Sequence, residues 1–95
     1  MRANELTQAE RHTVITHDSW IEGPRWAFGP LWLDRFVMEA NDELVAKGWK
    51  RIEIVSQREE KSFLRKGITF TLRGEAYGIG FFLEALESAV NSRKN

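Results

Sequence analysis

Apolar side chains recur every three or four residues in two long segments of the chain, a spacing typical of amphipathic helices. The first segment runs from Pro30, which suits a first helical position, to Gly48, which suits a left-handed helix end. Its apolar positions are Leu33, Phe36, Val37, Ala40 and Leu44. The second segment is Ala76–Ser92, with apolar positions at Ile79, Phe82, Leu83, Leu86 and Val90. We therefore predict two amphipathic helices.

Three shorter segments predict strands. Residues 12–17 (HTVITH) are rich in β-branched side chains and predict a short strand that ends in a turn at Asp18 and Ser19. Residues 49–56 (WKRIEIVS) alternate between apolar and polar side chains, and residues 67–73 (GITFTLR) do so more clearly. Because the last two strands follow each other in sequence, we expect them to pair as an antiparallel hairpin.

The highly charged segment between these two strands, QREEKSFLRK at residues 57–66, allows two interpretations. It could be a ten-residue loop, or both strands could extend and turn near Glu60. We favour the long hairpin, because Leu64 then continues the apolar face of the second strand. Lys66 would be the polar exception on that face.

The order strand, helix, strand, strand, helix predicts an α+β fold. The simplest arrangement is a two-layer sandwich in which a small antiparallel sheet is covered on one face by two helices. Ahead of it, Thr7 and Glu10 have the spacing of a capping box, so we expect residues 1–10 to be a flexible or short helical N-terminus. Residues 11–95 then form a single α+β domain, a size that allows one core.

The stretch SWIEGPRWAFGPLW, residues 19–32, holds three tryptophans spaced six residues apart. This spacing fits neither a helix nor a strand, so the stretch predicts an irregular, aromatic-rich connection. Most of the tryptophans, Trp32 and Trp49 among them, are expected to close the core, because a domain of this size needs large apolar side chains. Trp20 and Trp26 are better candidates for a contact surface, since Gly-Pro pairs beside them would fix the shape of the loop before binding.

Charge is unevenly distributed along the chain, although the formal net charge is zero. Residues 1–46 carry four basic and eight acidic side chains, whereas residues 47–73 carry eight basic and three acidic ones. Cations beside aromatic rings are one pattern by which proteins bind single-stranded nucleic acid. In this alternative the binding residues would be Lys50, Arg51, Lys61, Arg65 and Lys66. A pI near 6.7 counts against it, because such domains are usually basic as a whole.

No catalytic or metal-binding set emerges from the sequence. The absence of cysteine excludes disulfides, thiolate metal sites and a cysteine nucleophile. His12 and His17, five residues apart, would point to opposite faces of a strand. We therefore expect a non-enzymatic protein without cofactor or metal. We also expect it in the cytoplasm and away from membranes, because the chain has neither a long apolar run nor a signal peptide.

These observations favour a protein that acts through its surface. We hypothesise a small regulatory or inhibitory protein of bacterial or phage type, which binds another protein through the aromatic loop and the basic β-hairpin. Arginine and aromatic side chains dominate such interfaces. The residues expected at this contact are Trp20, Trp26, Arg51, Arg58, Phe63, Leu64, Arg65 and Arg73. Self-association as a homodimer, through the sheet or through the helices, stays open.

Overall fold

The computed structural model of the protein describes residues 3–92. Its main elements are, in chain order, helix α1 (Gln8–Arg11), strand β1 (Val14–Pro24), helix α2 (Trp32–Ala46), strand β2 (Glu53–Lys61), strand β3 (Arg65–Glu75) and helix α3 (Ala76–Ser92). Short 3-10 turns lie at Ala3–Glu5 and Arg25–Ala27. The strands form one antiparallel sheet in the order β1-β3-β2, and the helices pack on it. The predicted α+β fold is confirmed, and α3 has the predicted bounds.

The core lies between the inner face of the sheet and helices α2 and α3. Strand β3 is central in the sheet, and its alternation buries Ile68, Phe70 and Leu72. The helical side chains that are buried in the same cluster include Leu33, Leu44, Ile79 and Phe82. Burying a side chain of this size contributes about 1.5 to 3 kcal/mol, so this cluster supplies the main stabilisation of the fold.

The tryptophans divide into two pairs. Trp32 stacks on Phe36 with 5.1 Å between ring centroids, and Trp49 stacks on Tyr77 at 3.9 Å. Both of these tryptophans pack against the edge of the core, as expected. Trp20 and Trp26 are 64% and 80% exposed.

Helix α2 ends as predicted but begins later. At its end Gly48 has a φ of +87°, and the amide of Trp49 donates to the carbonyl of Leu44 across 2.8 Å, which closes the last turn. The prediction of a start at Pro30 is wrong. The helix begins at Trp32, because Leu31 takes a left-handed conformation with a φ of 58° and turns the chain just before the helix.

Strand β1 is nearly twice as long as predicted, and the turn expected at Asp18 and Ser19 is wrong. The strand pairs with β3 along its whole length, and Asp18 accepts a 2.6 Å hydrogen bond from the hydroxyl of Thr71. Side chains of β1 alternate between the two faces of the sheet, but His17 and Ser19 on the inner face are polar, so the sequence shows no apolar alternation before Ile21. Trp20 is therefore a strand residue and not part of an irregular connection.

The long β2–β3 hairpin forms, with its turn slightly beyond the predicted position near Glu60. Strand β2 extends to Lys61, and Leu64 lies in the turn instead of on the apolar face. A bulge between Ile54 and Ser56 adds one residue to β2. Because the bulge reverses the alternation beyond it, later β2 side chains lie on the face opposite to the one that a regular strand would give.

Candidate protein-binding surface at the hairpin tip

The end of β1 and the turn of the β2–β3 hairpin lie side by side. The β1–β3 ladder ends with Pro24 opposite Arg65. One residue further, the amide of Arg25 donates a 2.9 Å hydrogen bond to the carbonyl of Leu64. The 3-10 turn that carries Trp26 therefore begins beside the hairpin turn.

The hairpin turn presents two apolar side chains to solvent. The amide of Ser62 donates to the carbonyl of Arg65 at 2.9 Å, and the amide of Arg65 donates to the Ser62 hydroxyl at 3.2 Å. Between them lie Phe63 and Leu64, which are 87% and 71% exposed. Turns favour small or polar residues such as Gly, Asn, Asp and Ser, so folding does not require large apolar residues here.

Trp26 is a third exposed apolar residue, in the 3-10 turn beside the hairpin turn. The residues after it, Ala27 and Phe28, are buried, so the 3-10 turn directs Trp26 outward and its neighbours inward. We call Trp26, Phe63 and Leu64 the apolar tip. Exposed apolar side chains gathered at one place, unlike single ones, often mark an interaction site.

A buried lysine fixes the aromatic segment to the hairpin at the base of the tip. Lys66 is 4% exposed. Its Nζ donates to the carbonyl of Phe28 across 3.3 Å and lies 3.1 Å from Oε1 of Glu59. The long side chain spans the inner face of the sheet and holds three chain segments together. The apolar tip therefore stands on an ordered base.

Charged side chains surround the tip. Nε of Arg65 lies 2.8 Å from Oε1 of Glu22, and Nζ of Lys61 lies 3.8 Å from Oε2 of Glu59. A shallow polar depression of about 300 Å³ lies beside the turn. Its lining residues are Glu22, Glu60, Lys61, Ser62, Arg65 and Gly67. An apolar centre with a polar rim is the usual composition of a protein interface.

The remaining residues of the predicted contact lie away from the tip. Trp20 and Arg58 occupy one row on the outer face of the sheet, because both pair with Thr69. Arg73 lies 3.4 Å from Glu53 near the other end of the hairpin. Arg51 precedes β2, also at that other end. The structure therefore places Phe63, Leu64 and Arg65 beside the turn that carries Trp26, and it places Arg51, Arg58 and Arg73 away from them. Trp20 lies further along β1, where it lines a groove together with Arg65.

The cations proposed for nucleic-acid binding do not form one surface. Lys66 is buried beside a carboxylate, so its ammonium group is not exposed for binding. Lys61 and Arg65 each have a carboxylate partner. Lys50 and Arg51 precede β2 and lie at the opposite end of the hairpin from the turn.

The far end of the sheet carries a cluster that sequence reasoning missed. Nδ1 of His12 lies 3.0 Å from Oε2 of Glu75, and the His12 ring stacks on Trp49 at 5.2 Å. The two partners are distant in sequence, and no local pattern links them. Within residues 3–92, no group of three or more histidine, aspartate or glutamate side chains could hold a metal ion.

No protein family matches this chain, and neither the curated proteins nor the solved structures give a significant match. Among the described residues, no helix is both long enough and apolar enough to cross a membrane.

Proposed function

We propose that this protein is a non-enzymatic protein-binding module that inserts its apolar tip into an apolar groove on another protein. One observation carries the proposal. Phe63 and Leu64 occupy the two central positions of a tight turn, where they are largely exposed, and Trp26 is exposed beside them. The turn would form without these apolar side chains, so their presence is best explained by a contact.

The base of the tip favours tight binding. A backbone that is already held in place loses little conformational entropy when its anchor side chains enter a groove, so more of the contact energy appears as affinity. The rings of Trp26 and Phe63 supply large apolar areas with few rotatable bonds. Truncation of such an anchor to alanine typically weakens the binding free energy by about 2 kcal/mol or more.

We further propose a regulatory or inhibitory role for this module. A module of this kind acts by occupying a groove that its partner uses for another contact. The rim of the tip carries charges of both signs, with Arg65 beside Glu22 and Lys61 beside Glu60, so we expect a groove bordered by polar residues of both charges.

A photo-crosslinking experiment tests this proposal. A benzophenone-bearing amino acid replaces Phe63 in one variant and Val55 in a control variant. Val55 is also exposed but lies in the β2 bulge. Both proteins are irradiated in a lysate of the source organism, with and without nuclease. We expect one main protein adduct from position 63, unchanged by nuclease, and no such adduct from position 55.

The same experiment identifies the competing function. If the position-63 adduct were nucleic acid, or if it disappeared with nuclease, the protein-binding proposal would be wrong. A nucleic-acid binder would also lose affinity steeply with added salt and after neutralisation of Lys50, Arg51 and Arg65.

A further inference from the structure

Strand β1 has a free edge. It pairs with β3 on one side, and no strand of residues 3–92 pairs with its other side. The hydrogen bonds at its two ends show which groups point outward. The carbonyl of Thr13 accepts from Ala76, and the amide of Arg25 donates to Leu64, so odd-numbered residues bond toward β3. Because an antiparallel ladder alternates, the even-numbered residues of β1 direct their N–H and C=O groups outward.

The free edge of β2 is protected, whereas that of β1 is not. Strand β2 carries a bulge and a run of charged side chains, both of which discourage pairing with another chain. Within β1, Asp18 and Glu22 are the acidic residues, and no lysine or arginine is present. Two apolar residues of β1, Val14 and Trp20, are 65% and 64% exposed on the outer face of the sheet. A long edge of this kind is a site for strand addition.

Helix α3 provides room for an added strand. A groove of about 470 Å³ lies between β1 at residues 19–22 and helix α3, where Leu83, Leu86 and Val90 line it. The charged side chains of Arg65 and Glu87 also border this groove. A strand added to β1 would place its inner-face side chains over this groove. The edge of β1 therefore has outward-pointing backbone groups and, beside them, a partly apolar groove.

We propose that β1 pairs in antiparallel fashion with β1 of a second copy, about a two-fold axis at His17. In this register Val14 lies opposite Trp20 of the second copy, and Thr16 lies opposite Asp18. Directly opposite residues share a face of the sheet, so both exposed apolar residues become covered and each carboxylate meets a hydroxyl. Val14, Thr16, Asp18 and Trp20 are all even-numbered, so their outward groups can form the ladder.

Neighbouring registers are worse. An axis at Asp18 would place two carboxylates directly opposite each other, which is destabilising. An axis at Ser19 would place Trp20 opposite a carboxylate, and an axis at Thr16 would place Trp20 beyond the end of the partner strand. With the axis at His17, Ile15 lies opposite the small Ser19 and beside the groove lined by Leu83. This register is self-complementary, as a two-fold contact must be.

The dimer leaves the apolar tips free. Each tip follows the C-terminal end of β1, and antiparallel pairing sends the two tips to opposite ends of the joined sheet. The inference therefore does not depend on the proposed function, and each can fail without the other.

Sedimentation of the full chain tests the pairing. We expect the wild type to reach a mass of twice 11.1 kDa as its concentration is raised to about 1 mM. Thr16→Pro removes an outward N–H group and no hydrogen bond of the β1–β3 ladder, and we expect it to raise the dissociation constant at least about tenfold. Gln57→Pro is the matched control, since Gln57 points its N–H group outward from the β2 edge. A monomeric wild type, or equal dimers in both variants, would overturn the proposal.

Cysteine cross-linking tests the register without a proline. His17 would meet its own copy at a non-hydrogen-bonded position, where Cα atoms lie about 4.5 Å apart, a distance that suits a disulfide. The chain has no native cysteine, so every bridge can be assigned. We expect His17→Cys to form a covalent dimer under mild oxidation faster than Ser19→Cys does. Equal rates for both, or faster bridging at position 19, would contradict the axis at His17.

Discussion

The ring of Phe28 packs so closely on Gly23 that a β-carbon at position 23 would lie 2.8 Å from Cε2 of Phe28. This contact joins the end of β1 to the segment that carries Trp26. Together with the bond from Lys66 to the carbonyl of Phe28, it sets the direction in which the chain leaves the sheet. The position of the apolar tip therefore depends on two buried contacts beneath it.

Substitution of Gly23 tests the first of these contacts. Gly23→Ala would force the buried Phe28 ring to move, and we expect a loss of about 1 to 3 kcal/mol in the free energy of unfolding. Gly29→Ala is the control, because a β-carbon there meets nothing within 4 Å. We expect this control to be neutral or slightly stabilising. Urea denaturation measures both, and equal stability of the two variants would show that the Phe28 contact is unimportant.

Substitution of Lys66 tests the second contact. Lys66→Ala removes a buried hydrogen bond, an ion pair and the packing of the side-chain stem, and we expect a loss of about 1 to 3 kcal/mol. Lys61→Ala removes an exposed ion pair to the same Glu59, and we expect a change of less than about 0.5 kcal/mol. Thermal or urea unfolding distinguishes the two. Similar effects would mean that burial gives Lys66 no special role.

The sequence predicts the regular elements well where one face is clearly apolar. The bounds of α3 and the pairing of β2 with β3 follow from such patterns, whereas β2 begins at Glu53 and not at Trp49 as the alternation predicts. The predicted length of β1 is too short because polar residues, His17 and Ser19, occupy its inner face. Its full length is set by pairing with β3. A pairing partner that is distant in sequence leaves no local pattern.

The candidate site shows the same limit. Residue type alone suggested Trp26, Phe63 and Leu64 as contact residues, but their proximity depends on the bond between Arg25 and Leu64. Lys66 was placed on the apolar face by its position in the alternation. Its burial, however, depends on Glu59 and on the carbonyl of Phe28, which only the folded chain brings near.

Replacement of the turn residues separates folding from binding. Phe63→Ser combined with Leu64→Asn places polar residues that are common in turns at two positions where φ is not positive. We expect the free energy of unfolding to change by less than about 1 kcal/mol, while capture of the partner is lost. Urea denaturation and the pull-down of the partner measure the two effects. A large loss of stability would indicate that Phe63 and Leu64 serve folding instead.

Acid is expected to loosen helix α1. The pKa of Glu10 lies below its ordinary value of 4.5, mainly because its carboxylate accepts a hydrogen bond from the backbone of Thr7, and also through the Thr7 side chain. A lowered folded-state pKa means that this stabilisation is present above the unfolded-state pKa. It is lost as pH falls through the folded-state value.

The NMR shift of the Thr7 amide reports this transition. We expect it to titrate with a midpoint below 4.5, and we expect Glu10→Gln to abolish that titration. A midpoint at or above 4.5 would show that the capping box does not persist in solution.

Titration calorimetry tests the role of the apolar tip most directly. It uses the purified, unmodified partner protein that the cross-linking experiment identifies. We expect Phe63→Ala to weaken binding by about 30-fold or more, which corresponds to about 2 kcal/mol. We expect Val55→Ala, an exposed apolar control away from the tip, to bind within about twofold of the wild type. If Phe63→Ala bound as tightly as the wild type while remaining folded, the apolar tip would not be the binding surface.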